Sequence, residues 1–263
     1  MKTAISPFAG ELARIAHDAG RLILKHYAAG TSVHTKADAS PVTAADEEAE
    51  ALILKRLSEL APDVPVIAEE AVAKGQLPKA SARFFLVDPL DGTKEFLKRN
   101  GEFTVNIALV ENGRPTAGAV IAPAKGRAFV GERGAAFELA AAEDLPLELS
   151  AAQRVSARKV PKSGIVAVVS RTHRDTKTDD YLKVYGIASL LSAGSSLKFC
   201  LVAAGEADLY PRHGKTMEWD TAAGQAVLEA AGGSVTTLDG TPLNYGKADR
   251  DFANPPFVAR GLG

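Results

Sequence analysis

The sequence predicts a chain in two parts, an α+β half followed by an α/β half. Three observations carry that expectation. Apolar residues twice recur at three- and four-residue spacing before residue 61, short β-rich runs separated by turn signals follow Pro65, and strands and helices alternate beyond about Pro161.

Within residues 11–27, Leu12, Ile15, Ala16, Ala19, Leu22 and Ile23 mark one apolar face. Ser6-Pro7 stands upstream and Gly30 follows the end, so an amphipathic helix is expected. A second helix begins near Thr43, after the extended segment Ala39-Ser40-Pro41. The Thr43 hydroxyl caps it, Asp46 and Glu47 suit the positive end of its dipole, and Ala49, Leu52, Ile53, Leu57 and Leu60 form its stripe. Val66-Ile67-Ala68 is a short apolar run. Residues 83–87, 104–110, 117–121 and 127–130 read as an antiparallel meander, with Glu111-Asn112-Gly113 among its turns. The Ala-, Glu- and Arg-rich stretch 140–159 is a seam, which divides the chain into residues 1–158 and 159–263. Beyond it the expected order is strand 165–170, a helix from about Asp175, strand 187–191, a helix from about Ser195, strand 207–210, a helix from about Asp220 and strand 234–237. No repeat or low-complexity tract interrupts this order.

With 263 residues, 46% hydrophobic and 24% charged, the chain can build a sizeable core and has no disorder signature. Its 31 basic and 32 acidic residues leave a net charge of −1, without the basic excess that nucleic-acid binding needs. Cys200 is the only cysteine, so an intrachain disulfide and a thiolate zinc site are both excluded. The five histidines show no zinc spacing. No stretch approaches the roughly 18 apolar residues of a membrane span, and no signal-peptide pattern opens the chain. The expected place is the cytoplasm, with peripheral attachment at the inner face of the membrane left open. No oligomer face is legible.

The densest chemical signal is Asp88-Pro89-Leu90-Asp91-Gly92-Thr93, which follows the apolar run 83–87. Two carboxylates in one Pro-restricted turn can serve magnesium, which prefers oxygen ligands. Gly92 and Thr93 offer backbone amides at a helix start, where phosphate binds well. The plain alternative is an Asx-turn plus a helix cap. Glu69-Glu70 stands at the end of another apolar run, or is ordinary surface charge. Asp220, in Trp219-Asp220-Thr221, precedes an Ala-rich helix and reads equally as its N-cap. Cys200 lies among apolar neighbours with no basic partner nearby and is read as core.

Taken together, Val42-Thr43-Ala44-Ala45-Asp46, Glu69-Glu70, Asp88-Pro89-Leu90-Asp91-Gly92-Thr93 and Trp219-Asp220-Thr221-Ala222-Ala223 resemble the lithium-sensitive, inositol monophosphatase-like phosphatase superfamily. The four motifs occur in the family order and span nearly the whole chain. Lys94-Glu95-Phe96, where inositol monophosphatases usually have Thr-Asn-Phe, resembles the 3′(2′),5′-bisphosphate nucleotidase branch of CysQ type. Ser170-Arg171-Thr172-His173 and the stretch from Gly194-Ser195-Ser196-Leu197-Lys198 to Tyr210-Pro211-Arg212 do so too. Ala68 departs from the usual Gly or Ser but leaves the acids in place.

The resemblance implies a layered αβαβα sandwich of the inositol monophosphatase/fructose-1,6-bisphosphatase-like type. It implies Glu69, Asp88 and the Leu90 carbonyl as ligands of one magnesium, and Asp88, Asp91 and Asp220 as ligands of a second. Glu69 would also serve a third, weakly held ion. Asp46, through Thr93, would position and deprotonate the attacking water, while the Gly92 and Thr93 amides hold phosphate oxygens. Gly194, Ser195 and Lys198 are expected to address the 5′-phosphate. Arg212 is a further candidate for that phosphate, Ser170 and His173 would contact the nucleoside, and Lys36 would close over the substrate or is a solvated loop lysine. The activity implied is removal of the 3′-phosphate from adenosine 3′,5′-bisphosphate and from 3′-phosphoadenylyl sulfate, recycling a by-product of sulfate assimilation. Lithium would compete for a magnesium position, and calcium would inhibit. The alternatives are an inositol monophosphatase or other small phosphate-ester phosphatase of the same superfamily, and a non-catalytic nucleotide-binding sensor.

Overall fold

The computed structural model describes residues 4–30, 33–35, 41–78 and 81–262; Lys36 and the Ala39-Ser40 step lie outside them. Helix α1 (Pro7–Ala29) starts where a proline fills the first turn and the Ser6 hydroxyl accepts from the Ala9 amide at 3.2 Å. Strands β1 (Val33–Thr35) and β2 (Pro41–Thr43) form a small antiparallel pair. They lead into α2 (Ala44–Leu60), whose cap is Thr43 as expected.

Seven strands make the first sheet: β3 (Val66–Ala68), β4 (Arg83–Asp91), β5 (Thr104–Glu111), β6 (Arg114–Ala122), β7 (Arg127–Glu132), β8 (Ala135–Ala140) and β9 (Gln153–Val155), in that spatial order. All neighbours are antiparallel except β3 and β4. Two short helices interrupt the series, α3 (Glu69–Ala73) and α4 (Thr93–Leu97). The expected meander is present, but β8 and β9 extend it into the segment read as a seam. The helix-favouring alanines of β8 hid it, because local propensity yields to the hairpin that Arg133 and Gly134, both at positive φ, form with β7.

The second sheet follows the expected alternation. It comprises β10 (Ile165–Ser170), β11 (Ile187–Ala193), β12 (Leu209–Arg212), β13 (Ser234–Thr237) and β14 (Phe257–Arg260), in the order β11-β10-β12-β14-β13. Strand β14, unread in the sequence, is only four residues long and follows two prolines. The helices are α5 (Thr176–Leu182), α6 (Leu197–Ala203) and α7 (Ala222–Ala230).

The first sheet is covered on both faces and so are the central strands β10, β12 and β14 of the second, while its edge strand β11 is largely exposed; along the covered strands side-chain alternation sorts residues between two apolar layers. On β4, Phe85 and Val87 face α1 and α2, while Phe84 and Leu86 join the layer that holds α6 and α7. On β10, Val168 joins the same inner layer, and Ala167 and Val169 face α5. The result is the five-layered αβαβα sandwich the resemblance implied. Helix α7 lies directly on the first sheet because β6 and β7 carry Gly118 and Gly131 beneath it. A Cβ at Gly131 would fall 2.5 Å from Val227 Cα, and one at Gly118 would fall 2.7 Å from Ala223 O.

Candidate active site

Strand β4 does not end at Val87, as the sequence suggested; it runs on to Asp91 and carries both aspartates. Simple alternation would send Asp88 and Asp91 to opposite faces. The register prevents this. Asp88 pairs with Asn106 and Asp91 with Thr104, so two residues of β4 oppose one of β5. This bulge turns both carboxylates towards one cavity. The Asx-turn anticipated as the plain alternative is also present, since Leu90 N donates to Asp88 Oδ1 at 3.0 Å. Gly92 then takes a left-handed φ of 94° and starts α4.

The cavity has a volume of about 780 Å³ and opens between the two sheets. Glu69, Asp88, Leu90, Asp91, Gly92 and Thr93 line it from the first half, and Ser170, His173, Ser195, Lys198, Arg212 and Asp220 from the second. Asp46 and Gly194 stand behind its wall. Asp46 is 2% exposed. Its Oδ2 accepts from Thr43 N at 2.8 Å and Thr43 Oγ1 at 2.6 Å, closing the cap of α2, while its Oδ1 accepts from Thr93 Oγ1 at 3.2 Å. One side chain thus caps a helix and reaches the cavity through a hydroxyl.

Asp220 does not cap α7. That position belongs to Thr221, and Asp220 Oδ2 accepts from Met217 N at 2.8 Å. Burial, followed by repulsion from Asp91 and Glu69, holds its carboxyl well above the ordinary range. Burial also pushes Asp91 up to about 6, against the opposing pull of Lys198 and the Ser196 amide, which donates to Asp91 Oδ2 at 2.6 Å. Among the described residues no group of three or more His, Cys, Asp or Glu side chains stands ready-made around a single point. Asp88, Asp91 and Asp220 instead each accept from a backbone amide. The donor set is oxygen throughout, and repelling carboxylates crowded into low dielectric suit a hard divalent cation.

The opposite wall is cationic. Lys198, 3% exposed, lies in the first turn of α6. Its ammonium donates to Ser195 O at 2.5 Å and stands 5.3 Å from the Tyr210 ring centroid. Burial pushes it down to about 8, with Asp91 working in the other direction. Arg212 donates to His173 O at 3.0 Å and Lys215 O at 3.1 Å. His173 sits at the rim, 3.3 Å from Lys94 Nζ; desolvation and then the cations Arg212, Lys94 and Lys198 press it down to about 4, so its ring is neutral. Two buried polar atoms of this wall, Ser195 Oγ and Arg212 Nε, have no hydrogen-bond partner in the protein. Such donors invite a ligand.

Sequence reasoning missed Lys74, Lys215, Thr216 and Asp251, which also line the cavity. Lys215 had a signal in its closeness to Arg212; Asp251 reaches the rim from a left-handed residue, φ 49°, that no motif announces. Cys200 is buried, and burial pushes its thiol far up, so it is core as read. Among the described residues no helix is long and apolar enough to cross a membrane.

The chain matches the inositol monophosphatase family over residues 5–261. It is 44% identical to the 3′(2′),5′-bisphosphate nucleotidase CysQ of Escherichia coli strain K12, over 94% of this chain and 97% of that protein. To the protein of the same name from Salmonella typhimurium it is 42% identical, with the same coverage. The crystal structure of CysQ from Bacteroides thetaiotaomicron superimposes with a TM-score of 0.81 at 38% identity, covering 97% of each chain. An inositol monophosphatase from Thermotoga maritima shares the fold, with a TM-score of 0.74 at 24% identity over 94% of this chain and 89% of that one. The motifs, the five layers and the likeness along the whole chain agree, and the protein belongs to the inositol monophosphatase family, in its CysQ-type branch.

Proposed function

We propose that the chain hydrolyses the 3′-phosphate of adenosine 3′,5′-bisphosphate, giving AMP and phosphate, and acts likewise on 3′-phosphoadenylyl sulfate. The observation that carries this reading is the division of one cavity into an acidic wall and a cationic wall. A substrate with a single phosphate needs only the first; a bisphosphate uses both. The likeness to 3′(2′),5′-bisphosphate nucleotidases, 42–44% identical over 94% of the chain, supports the same choice. The role that follows is recycling a by-product of sulfate assimilation, with residues 1–158 and 159–263 acting as two halves of one phosphatase unit.

Magnesium fits the residues present, and the family is generally magnesium-dependent. Glu69, Asp88, the Leu90 carbonyl, Asp91 and Asp220 would hold it, as two ions or, with Glu69 serving a weakly held one, three. When bound, the ions lower the pKa of a water and neutralise charge developing on the ester. The chain's own groups do the rest. The Thr93 hydroxyl, which donates to Asp46 Oδ1, orients the attacking water through its lone pairs and relays a proton to Asp46. The Gly92 and Thr93 amides steady the equatorial phosphate oxygens as their charge grows. Lys198, with the Gly194–Ser195 turn and Arg212, holds the 5′-phosphate, and Ser170 and the neutral His173 face the nucleoside.

The test compares initial rates of phosphate release from adenosine 3′,5′-bisphosphate and inositol 1-phosphate, each with magnesium and far below saturation. Preference for the nucleotide is expected; preference for the inositol ester rejects the assignment. In the same assay Asp91→Asn should lower kcat/KM by roughly 1,000-fold or more while leaving the circular dichroism spectrum unchanged. A wild type that binds the nucleotide without releasing phosphate is a sensor.

A further inference from the structure

The turn at residues 170–173, after β10, and the segment 194–198, which leads into α6, carry Ser170, His173, Ser195 and Lys198 of the wall that Arg212 of β12 completes. The β10–β11 ladder joins them to each other, ending in a bond from Arg171 N to Ala193 O at 3.1 Å. To the sheet bearing Asp88 and Asp91 the second turn is bonded at Ser196, whose N donates to Asp91 Oδ2 and whose Oγ donates to Asn106 Oδ1, both at 2.6 Å, while Glu102 holds both turns at once. Glu102, between α4 and β5, accepts from Arg171 Nε on Oε2 at 2.6 Å and from Arg171 Nη2 on Oε1 at 2.8 Å. The same Oε2 accepts from Gly194 N at 2.9 Å, across 92 residues of sequence. Arg171 Nη2 also donates to Ser192 O at 2.6 Å.

This is unlike an ordinary surface ion pair. The Glu102 side chain is only 12% exposed, the guanidinium contact is bidentate, and a backbone amide completes it. Neighbouring contacts run in step: the Thr172 hydroxyl donates to Glu95 Oε1, and Lys94 Nζ meets His173 Nε2. The approach is close enough to demand a glycine at 194, where a Cβ would fall 2.5 Å from Glu102 O. Glu102 stands behind the cavity wall and does not reach an ester bound inside.

We propose that Glu102 is a positioning residue that sets the spacing between the hydrolytic acids and the cationic wall, and so determines affinity for an ester that spans both. The proposal rests on the bisphosphate reading for the identity of that ester. If the tether is weakened, a ligand touching both walls loses affinity because it must itself hold the turns in place. An ester small enough to touch only the acidic wall is indifferent.

The experiment uses the full chain with magnesium and the variants Glu102→Gln and Arg171→Gln, the second in a largely exposed position should the first fold poorly. Kinetics on adenosine 3′,5′-bisphosphate and on p-nitrophenyl phosphate are combined with hydrogen exchange of the amides at 170–174 and 193–196. Expected are a KM for the nucleotide raised about tenfold, a kcat changed less than about threefold, unchanged constants for the small ester, and faster exchange in both turns. Equal losses on both esters, or none on either, overturn the proposal, as does unaltered exchange. If wild-type enzyme shows no preference for the nucleotide, the bisphosphate reading falls, while the exchange data still decide whether Glu102 tethers the turns.

Discussion

Asp46 and Lys198 show how a single side chain comes to serve two ends. Asp46 is legible in sequence as a first-turn acid, and it is one; the second oxygen's contact with Thr93 depends on α2 lying against β4. Lys198 has a sharper consequence. Its ammonium is pushed down to about 8 by burial. It is therefore charged below that pH and neutral above it, so the KM for the bisphosphate should climb as the medium passes about pH 8. Lys198→Arg should remove that alkaline rise, because guanidinium stays protonated. Lys198→Met should raise KM about 10- to 100-fold at neutral pH, the loss of one charge-assisted hydrogen bond. A pH series of initial rates checks all three.

Among the elements, α7 bears most directly on the site, since Asp220 immediately precedes its cap. The glycines beneath it on β6 and β7 let the helix backbone rest on the sheet, and the sequence offered no reason to single them out. Gly131→Ala would set a methyl 2.5 Å from Val227 Cα, where only backbone can give way. Expected is a loss of roughly 1–3 kcal/mol by denaturant unfolding. A fall in kcat should accompany it as Asp220 moves away from Asp91. Unchanged stability would show that the helix is free to shift.

Over the whole molecule, the cavity concentrates negative charge that folding alone does not relieve. Asp91 rises from an ordinary 3.8 to about 6. In metal-free protein the folded state therefore keeps a proton that the unfolded chain has released between those values. That group's contribution to stability is full below about 4 and is lost as pH rises through about 6. Bound as assigned, magnesium should stabilise the folded chain by about 2.7 kcal/mol at a hundredfold excess over Kd and so raise its melting temperature. The gain should be larger near pH 7.5 than near pH 5. Calorimetry with and without chelator measures it, and a midpoint indifferent to magnesium would count against the ligand assignment.

Helix periodicity, the caps at Ser6 and Thr43, the meander and the four acidic motifs were all readable along the chain, because each depends on residues within a turn or a strand of one another. The bulge that aims Asp88 and Asp91 together, the bond from Met217 N that Asp220 accepts in place of capping α7, the strands β9 and β14, and the Glu102 tether were not readable. They arise from pairings between segments up to about a hundred residues apart, whose register and packing distance leave no local mark. Chemistry was written in short motifs; the shape of the cavity that unites them came from long-range contact.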